Sequence, residues 1–272
     1  MPDDPAATPA RPDGRVAPHD HGGPQWWDPL SIRPEHANPE TGPVLGVLGI
    51  LVGSNIIANQ LLPSWAYLPW NIGVAGALAA VAHRYGRTTM AELGLSKDRL
   101  LDGLRWGGIA AVGVIGVCAA GALIPATQEL FHDDRAKDLS LGALLLHVGL
   151  EIPIGTVLAE EMMFRGVLPA MFRRRFAHKR SWAVRADVTA AVVFGLWHVL
   201  PSLDLARSNA ALKALPLGLG LPAAIVGSVA ATAAAGLGFT WLRNRSGSLL
   251  APILLHWSIN ASGLVAAWIV QR

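Results

Sequence analysis

Long apolar runs separated by short polar loops make up the chain after residue 40. Seven of these runs approach the roughly 20 residues that an α-helix needs to cross a bilayer, at about 43–62, 65–83, 104–125, 139–163, 187–203, 217–241 and 249–270. This pattern predicts an all-α fold, in which residues 41–272 form a polytopic bundle of about seven transmembrane helices. The fifth run is the shortest, because Pro201 and Asp204 crowd its end, and the pattern leaves room for an eighth span.

Two segments outside these runs have a different character. Residues 1–40 are rich in proline and contain no aliphatic run, which predicts a disordered tail. The tail lacks the basic-then-apolar order of a signal peptide, so we expect the first span to remain as an anchor. Leucines alternate with charged residues between 84 and 104, and this mixture predicts a surface helix that lies along the membrane.

The overall composition excludes several classes of protein. Hydrophobic residues make up 52% of the chain and charged residues only 15%, which is too apolar for an ordinary soluble domain. Cys118 is the single cysteine, so the chain cannot form an internal disulfide. The net charge is only +3, and the basic residues lie in loops between apolar runs. We therefore expect a lipid bilayer, and no nucleic acid, as a partner.

Lys and Arg residues are distributed unequally between the two sides of the predicted bundle. Of the 22 in the chain, sixteen fall in the tail and in the loops that share its side, and five fall on the other side. Short cytoplasmic loops of membrane proteins carry such an excess. We therefore predict a multi-pass protein with a cytoplasmic N-terminus. The Ala-, Gly- and Arg-rich composition is typical of a bacterial protein, so we expect it to lie in the plasma (inner) membrane.

Charged residues inside the fourth run are the first sign of chemistry. A charge at the bilayer centre costs on the order of 3 kcal/mol, yet Glu160, Glu161 and Arg165 all lie there. Neighbouring helical residues point about 100° apart, so we expect the two glutamates to serve different partners. Arg165 follows Glu161 by four residues and should pair with it. Glu160 then remains free to face something else.

Three further polar residues lie at a similar depth on later spans. His198 follows Phe194 by one turn, and His256 and Asn260 share one face of the seventh span. At about 1.5 Å per residue, Glu160 lies about 18 Å from the cytoplasmic edge, the first histidine about 20 Å, and the last pair about 12–18 Å. We therefore expect these four side chains to meet near the middle of the membrane.

Such a cluster is suited to hydrolysis by either of two routes. In the first, Glu160 activates a water as general base while a histidine or Asn260 donates to the oxyanion of an attacked carbonyl. In the second, Glu160, His198 and His256 hold a divalent, zinc-like ion that activates the same water. Both routes predict cleavage of an amide or an ester.

Several nearby residues have simpler explanations. His147 and Glu151 lie four residues apart in the fourth span and are expected to pair, or to connect helices by hydrogen bonds. Phe194 and Trp197 are expected to pack in the core. Tyr67 lies near a predicted span end and is interpreted as an anchor at the membrane interface.

Three motifs on successive spans resemble those of a known family. They are Glu160-Glu161-x-x-x-Arg165, Phe194-x-x-x-His198 and His256-x-x-x-Asn260. In this order they resemble the CAAX prenyl protease and bacteriocin-processing (CPBP, or Abi) family of intramembrane endopeptidases. The resemblance covers about residues 90–265, and the tail and the first span fall outside it.

The resemblance implies a helical bundle with a cavity open toward the cytoplasm and the lipid. It implies that Glu160 and His198 activate water, that His256 and Asn260 stabilise the oxyanion, and that Glu161, Arg165 and Phe194 support them. The expected substrate is a membrane-associated protein or peptide, lipidated or not. Two alternatives are a non-catalytic adaptor or bacteriocin-immunity protein of the same fold, and a small transporter. No internal repeat is evident, which argues against a transporter with inverted halves.

Overall fold

The computed structural model of the protein describes residues 41–133, 136–177, 181–208 and 219–272, and the side chains of 204–208 are not described. The predicted disordered tail at 1–40 lies outside these ranges. Within them, every regular element is a helix, which confirms the predicted all-α fold.

Eight helices carry the architecture of the described part of the chain. They are α1 (Gly42–Gln60), α2 (Ser64–Arg84), α3 (Leu100–Leu123), α4 (Leu141–Phe176), α5 (Trp182–Trp197), α6 (Val199–Ser208), α7 (Gly220–Ser246) and α8 (Leu250–Val270). Short turns of helix precede α3 at Lys97–Arg99 and follow it at Pro125–Gln128 and Glu129–Phe131. By length and hydropathy, seven spans in the described residues can cross a membrane, with α5 and the start of α6 forming one. The protein is therefore a multi-pass membrane protein.

Small residues allow α3 to approach α8 closely. Gly103, Gly107 and Ala111 are all buried and lie one turn apart on α3. A Cβ atom at Gly107 would come within 2.8 Å of the Cα atom of Ala251 on α8. Membrane helices commonly associate through small residues four positions apart, because the backbones can then come into contact. This contact holds the helix that carries His256 against the bundle.

Much of α4 winds more widely than an ordinary α-helix. The residues His147–Leu158 and Met162–Val167 are π-helical, and only Ala159–Glu161 between them is α-helical. Hydrogen bonds in a π-helix run from residue i to i+5, so successive side chains are turned by less than in an α-helix. π-Helical turns often mark functional sites. The helix also continues to Phe176, beyond the predicted end of the fourth span at 163.

The prediction of a surface helix between α2 and α3 is wrong. Residues 85–96 form turns, and Glu92 and Leu93 are buried. Thr89 and Glu92 hydrogen-bond each other's backbone N–H groups at 2.7 and 3.2 Å. Arg174 at the end of α4 donates to Glu92 Oε2 at 2.6 Å. Glu92 is therefore the residue that holds the segment inside the bundle.

A second charged network ties three spans together at the same end of the bundle. Arg173 of α4 donates to Asp187 of α5 at 2.6 Å and to Asn244 of α7 at 2.8 Å. Asn244 in turn donates to the second oxygen of Asp187 at 2.8 Å. Arg173 is buried, and breaking one side of such a buried pair costs about 3–5 kcal/mol. The orientation of α4, and of the glutamates that it carries, is fixed from this end.

Candidate active site

Glu160 and Glu161 lie in the short α-helical step between the two π-helical stretches of α4. Both are buried, and Glu161 has no exposed surface. Arg165 Nη1 lies 3.2 Å from Glu161 Oε1, which confirms the predicted ion pair. Two buried acids and one arginine therefore share one turn of a membrane helix, and they require further polar partners.

His256 of α8 provides that partner for both glutamates. Its Nδ1 atom lies 2.7 Å from Glu161 Oε1, and its Nε2 atom lies 4.0 Å from Glu160 Oε2. The expectation that the two glutamates would serve separate partners is wrong, because they face opposite nitrogens of one imidazole. The imidazole has a nitrogen on each side, so two carboxylates that point in different directions can both face it.

Aromatic rings enclose the charged groups. Phe239 of α7 stacks on the imidazole of His256, with ring centroids 5.1 Å apart and planes at 22°. The guanidinium of Arg165 lies over the rings of Phe194 and Phe239, at 3.9 and 4.8 Å from their centroids. Desolvated cation–π contacts of this kind contribute about 2 kcal/mol. The two rings thus hold the arginine while keeping the surroundings apolar.

Trp197 contacts Glu160 through its indole, although its sequence position suggested core packing alone. Its Nε1–H donates to Glu160 Oε1 at 3.3 Å. Its backbone carbonyl accepts a hydrogen bond from Asn55 of α1 at 2.8 Å. Both residues carry a signal that sequence reasoning passed over: a tryptophan N–H and an intramembrane asparagine each require a hydrogen-bond partner when buried.

His198 occupies the break between α5 and α6. Its backbone leaves the helical range at φ −85° and ψ 4°. Its Nδ1 atom lies 2.9 Å from the carbonyl of Phe194, and its ring meets the Phe194 ring edge-on at 4.7 Å. Phe194 also lies 6.3 Å from the ring of His256, between centroids. The phenylalanine therefore separates and positions the two histidines.

The structure brings only part of the predicted cluster into direct contact. Glu160, Glu161, Arg165 and His256 form one connected group. Among the described side chains, neither His198 nor Asn260 makes a hydrogen bond or an ion pair with either glutamate. Asn260 is partly exposed and lies four residues after His256 on α8.

The predicted zinc-binding alternative has no complete ligand set in the described residues. A catalytic zinc ion takes three protein ligands. Among the residues that the structure describes, no group of three His, Cys, Asp or Glu side chains could hold a metal ion.

The gap between Glu160 and His256 is the chemically informative distance. Its length of 4.0 Å exceeds that of a hydrogen bond and suits two groups that share a water molecule. An ionised Glu161 can only accept hydrogen bonds, so the proton on His256 is assigned to Nδ1. Nε2 of the neutral ring is then an acceptor that faces Glu160. These two groups can hold a water from two sides.

Comparison with known protein families gives a match over part of the chain. Residues 142–262 match the model of the family described as Type II CAAX prenyl endopeptidase Rce1-like. This range contains all three motifs, from Glu160 to Asn260, and the match confirms the resemblance that they suggested. No curated protein matches the chain. No solved structure matches it either.

Proposed function

We propose that the protein is an intramembrane endopeptidase that uses a water activated by Glu160, because residues 142–262 match the family model described as Type II CAAX prenyl endopeptidase Rce1-like. The observation that carries this proposal is the placement of Glu160 Oε2 4.0 Å from His256 Nε2. Both residues lie on spans within the matched range. A buried carboxylate opposite an imidazole is an arrangement suited to general-base catalysis.

The proposed reaction begins with proton transfer from water to Glu160. The water oxygen then attacks the carbonyl carbon of the scissile peptide bond, and the carbonyl oxygen becomes an oxyanion. Glu160 passes the proton to the departing amine, so that its carboxylate is regenerated. His198, at the break after α5, completes the water site in this proposal.

Stabilisation of the oxyanion is assigned to His256 and Asn260. Glu161 accepts a hydrogen bond from Nδ1 of His256, as the carboxylate of a catalytic triad does from its histidine. In this role Glu161 fixes the ring and stabilises its positive charge. Arg165 holds Glu161 in place from the other side. Nε2 of His256 donates to the oxyanion when the ring has taken up a second proton from solvent before the attack, and His256 keeps this proton throughout the step. The amide of Asn260 is the second donor.

The proposed substrate is a membrane-associated protein or peptide. The family name points to a prenylated C-terminus as the first substrate to test. We further propose that the cavity opens toward the cytoplasm, where the basic ends of α4 and α7 lie under the positive-inside rule. In this orientation the N-terminus is cytoplasmic. The proposed location is the plasma (inner) membrane.

The experiment compares wild type with Glu160→Gln in proteoliposomes, using a fluorescence-quenched farnesylated peptide with a C-terminal C-a-a-X sequence. Loss of a general base should lower kcat by about a hundred- to ten-thousand-fold. Glu129→Gln makes the same change at a residue whose side chain is 89% exposed, and it should leave cleavage unchanged. Equal cleavage by wild type and Glu160→Gln would contradict the proposed role. A biological effect that persists in this variant would favour the adaptor alternative.

A further inference from the structure

The pair formed by His147 and Glu151 is a second polar group inside the fourth span. His147 Nδ1 lies 2.5 Å from Glu151 Oε2, as the sequence predicted. The two side chains are 38% and 45% exposed. An acid in contact with lipid costs on the order of 3 kcal/mol, and intramembrane acids usually face a water-filled cavity or a polar partner. The exposure of this pair therefore requires a polar environment.

The π-helical winding of α4 places His147 and Glu151 on the same helix face as Glu160. Residues four and five positions apart lie over one another in a helix whose hydrogen bonds run from i to i+5. His147, Glu151, Thr156 and Glu160 follow this spacing in succession. At no more than about 1.5 Å per residue, Glu151 and Glu160 are separated along the axis by at most about 13 Å. One face of α4 is thus polar from the exposed pair to the active site.

Helix α2 lines this face with polar side chains of its own. Asn71 is buried and donates to the carbonyl of Gly155 at 2.9 Å. Tyr67, one turn earlier, lies near Asn71 and Thr156 and within electrostatic reach of Glu160. Tyr67 therefore belongs to the inside of the bundle, which corrects its interpretation as an interface anchor. Two polar helix faces are opposed here, between the exposed pair and Glu160.

We propose that this polar face of α4, formed by His147, Glu151 and Thr156 with Tyr67 of α2, is a hydrated track that supplies water to Glu160. Each hydrolysis consumes one water, and in the charged cluster Phe239 covers the His256 ring while Phe194 covers the Arg165 guanidinium. The purpose of the track rests on the proposed function. Its hydration does not, because hydration follows from the polar groups that line it.

The test is labelling of single introduced cysteines, which is practical because the chain has only one native cysteine to remove. In a Cys118→Ser background, one cysteine is introduced at Glu151 or Thr156, and in matched controls at Leu150 or Leu158. Both control residues are exposed on the helix surface, at 42% and 39%, but they lie off the track. The proteins are reconstituted in liposomes and labelled with a charged, membrane-impermeant methanethiosulfonate reagent from each side.

Because the reactive species is the thiolate, which requires water, the two track positions should react at least about tenfold faster than the two controls. Equal and slow labelling at all four positions would overturn the proposal, since the face would then be covered by lipid or by another chain. Thr156→Cys is a small change, so the test survives if Glu151→Cys fails to fold.

A second readout separates this proposal from the proposed function. The labelling is repeated in a Glu160→Gln background, where the track should remain reactive although cleavage is lost. Glu151→Leu should lower kcat without a matching change in KM, and Glu151→Gln, which keeps a polar group, should retain most of the activity. An unreactive face together with Glu160-dependent cleavage would overturn the track alone. A reactive face together with cleavage that does not need Glu160 would overturn the proposed function alone.

Discussion

The ion pair between Arg165 and Glu161 offers the most quantitative prediction. Arg165 is buried, lies 3.2 Å from Glu161 and contacts two aromatic rings. Its replacement by methionine would leave Glu161 as a buried charge with only His256 as a partner. Removing one member of a buried pair costs about 3–5 kcal/mol, and the lost cation–π contacts add about 1–2 kcal/mol. At about 2–4 °C per kcal/mol, Arg165→Met should lower the melting temperature by on the order of 10 °C.

The double variant Arg165→Met/Glu161→Gln makes this prediction specific. Replacing both charges removes the unpaired carboxylate, so a large part of the lost stability should return. Activity should not return, because Nδ1 of His256 would no longer face the carboxylate of Glu161. The melting temperature in detergent and the cleavage of the quenched peptide are measured for the two single variants and the double variant. An unchanged melting temperature in Arg165→Met, or strictly additive losses in the double variant, would refute the reasoning.

Two further predictions concern the support of the site. Trp197→Phe keeps an aromatic ring but removes the N–H that donates to Glu160, so kcat should fall by about fivefold, equivalent to about 1 kcal/mol. A fall in the melting temperature without a change in kcat would contradict this role. Gly107→Ala places a Cβ 2.8 Å from the backbone of Ala251 and should destabilise the protein by about 1–3 kcal/mol. A Cβ atom at Gly108 meets nothing within 4 Å, so Gly108→Ala should stabilise the protein by about 0.5–1 kcal/mol. Shifts of the melting temperature in opposite directions for the two variants would confirm the close contact between α3 and α8.

The seven spans and the position of the charged cluster were predictable because the bilayer dictates them. A helix must supply about 20 apolar residues to cross the hydrocarbon, and an acid within such a run must have a partner. Glu160, Glu161 and His256 could therefore be selected from the sequence. The Glu161–Arg165 pair followed from its spacing of four residues.

The winding of α4 and the fold of residues 85–96 were not predictable in the same way. A π-helix has no simple apolar period, and its free carbonyls depend on tertiary donors such as Asn71, which lies 84 residues from its acceptor Gly155. Glu92 likewise meets Arg174 across 82 residues of sequence. The alternation of leucines with charged residues between 84 and 104 predicted a surface helix there, and this local pattern carries no sign of the distant arginine that holds Glu92.

The central claim is that a water held by Glu160 attacks the peptide bond directly. A single-turnover reaction in heavy-oxygen water, followed by mass spectrometry of the products and of the peptide that contains Glu160, tests this claim most directly. Direct attack predicts one heavy oxygen in the new carboxylate of the product and none in the Glu160 side chain. Heavy oxygen in the Glu160 side chain would show that the carboxylate itself attacks the substrate, and it would contradict the account.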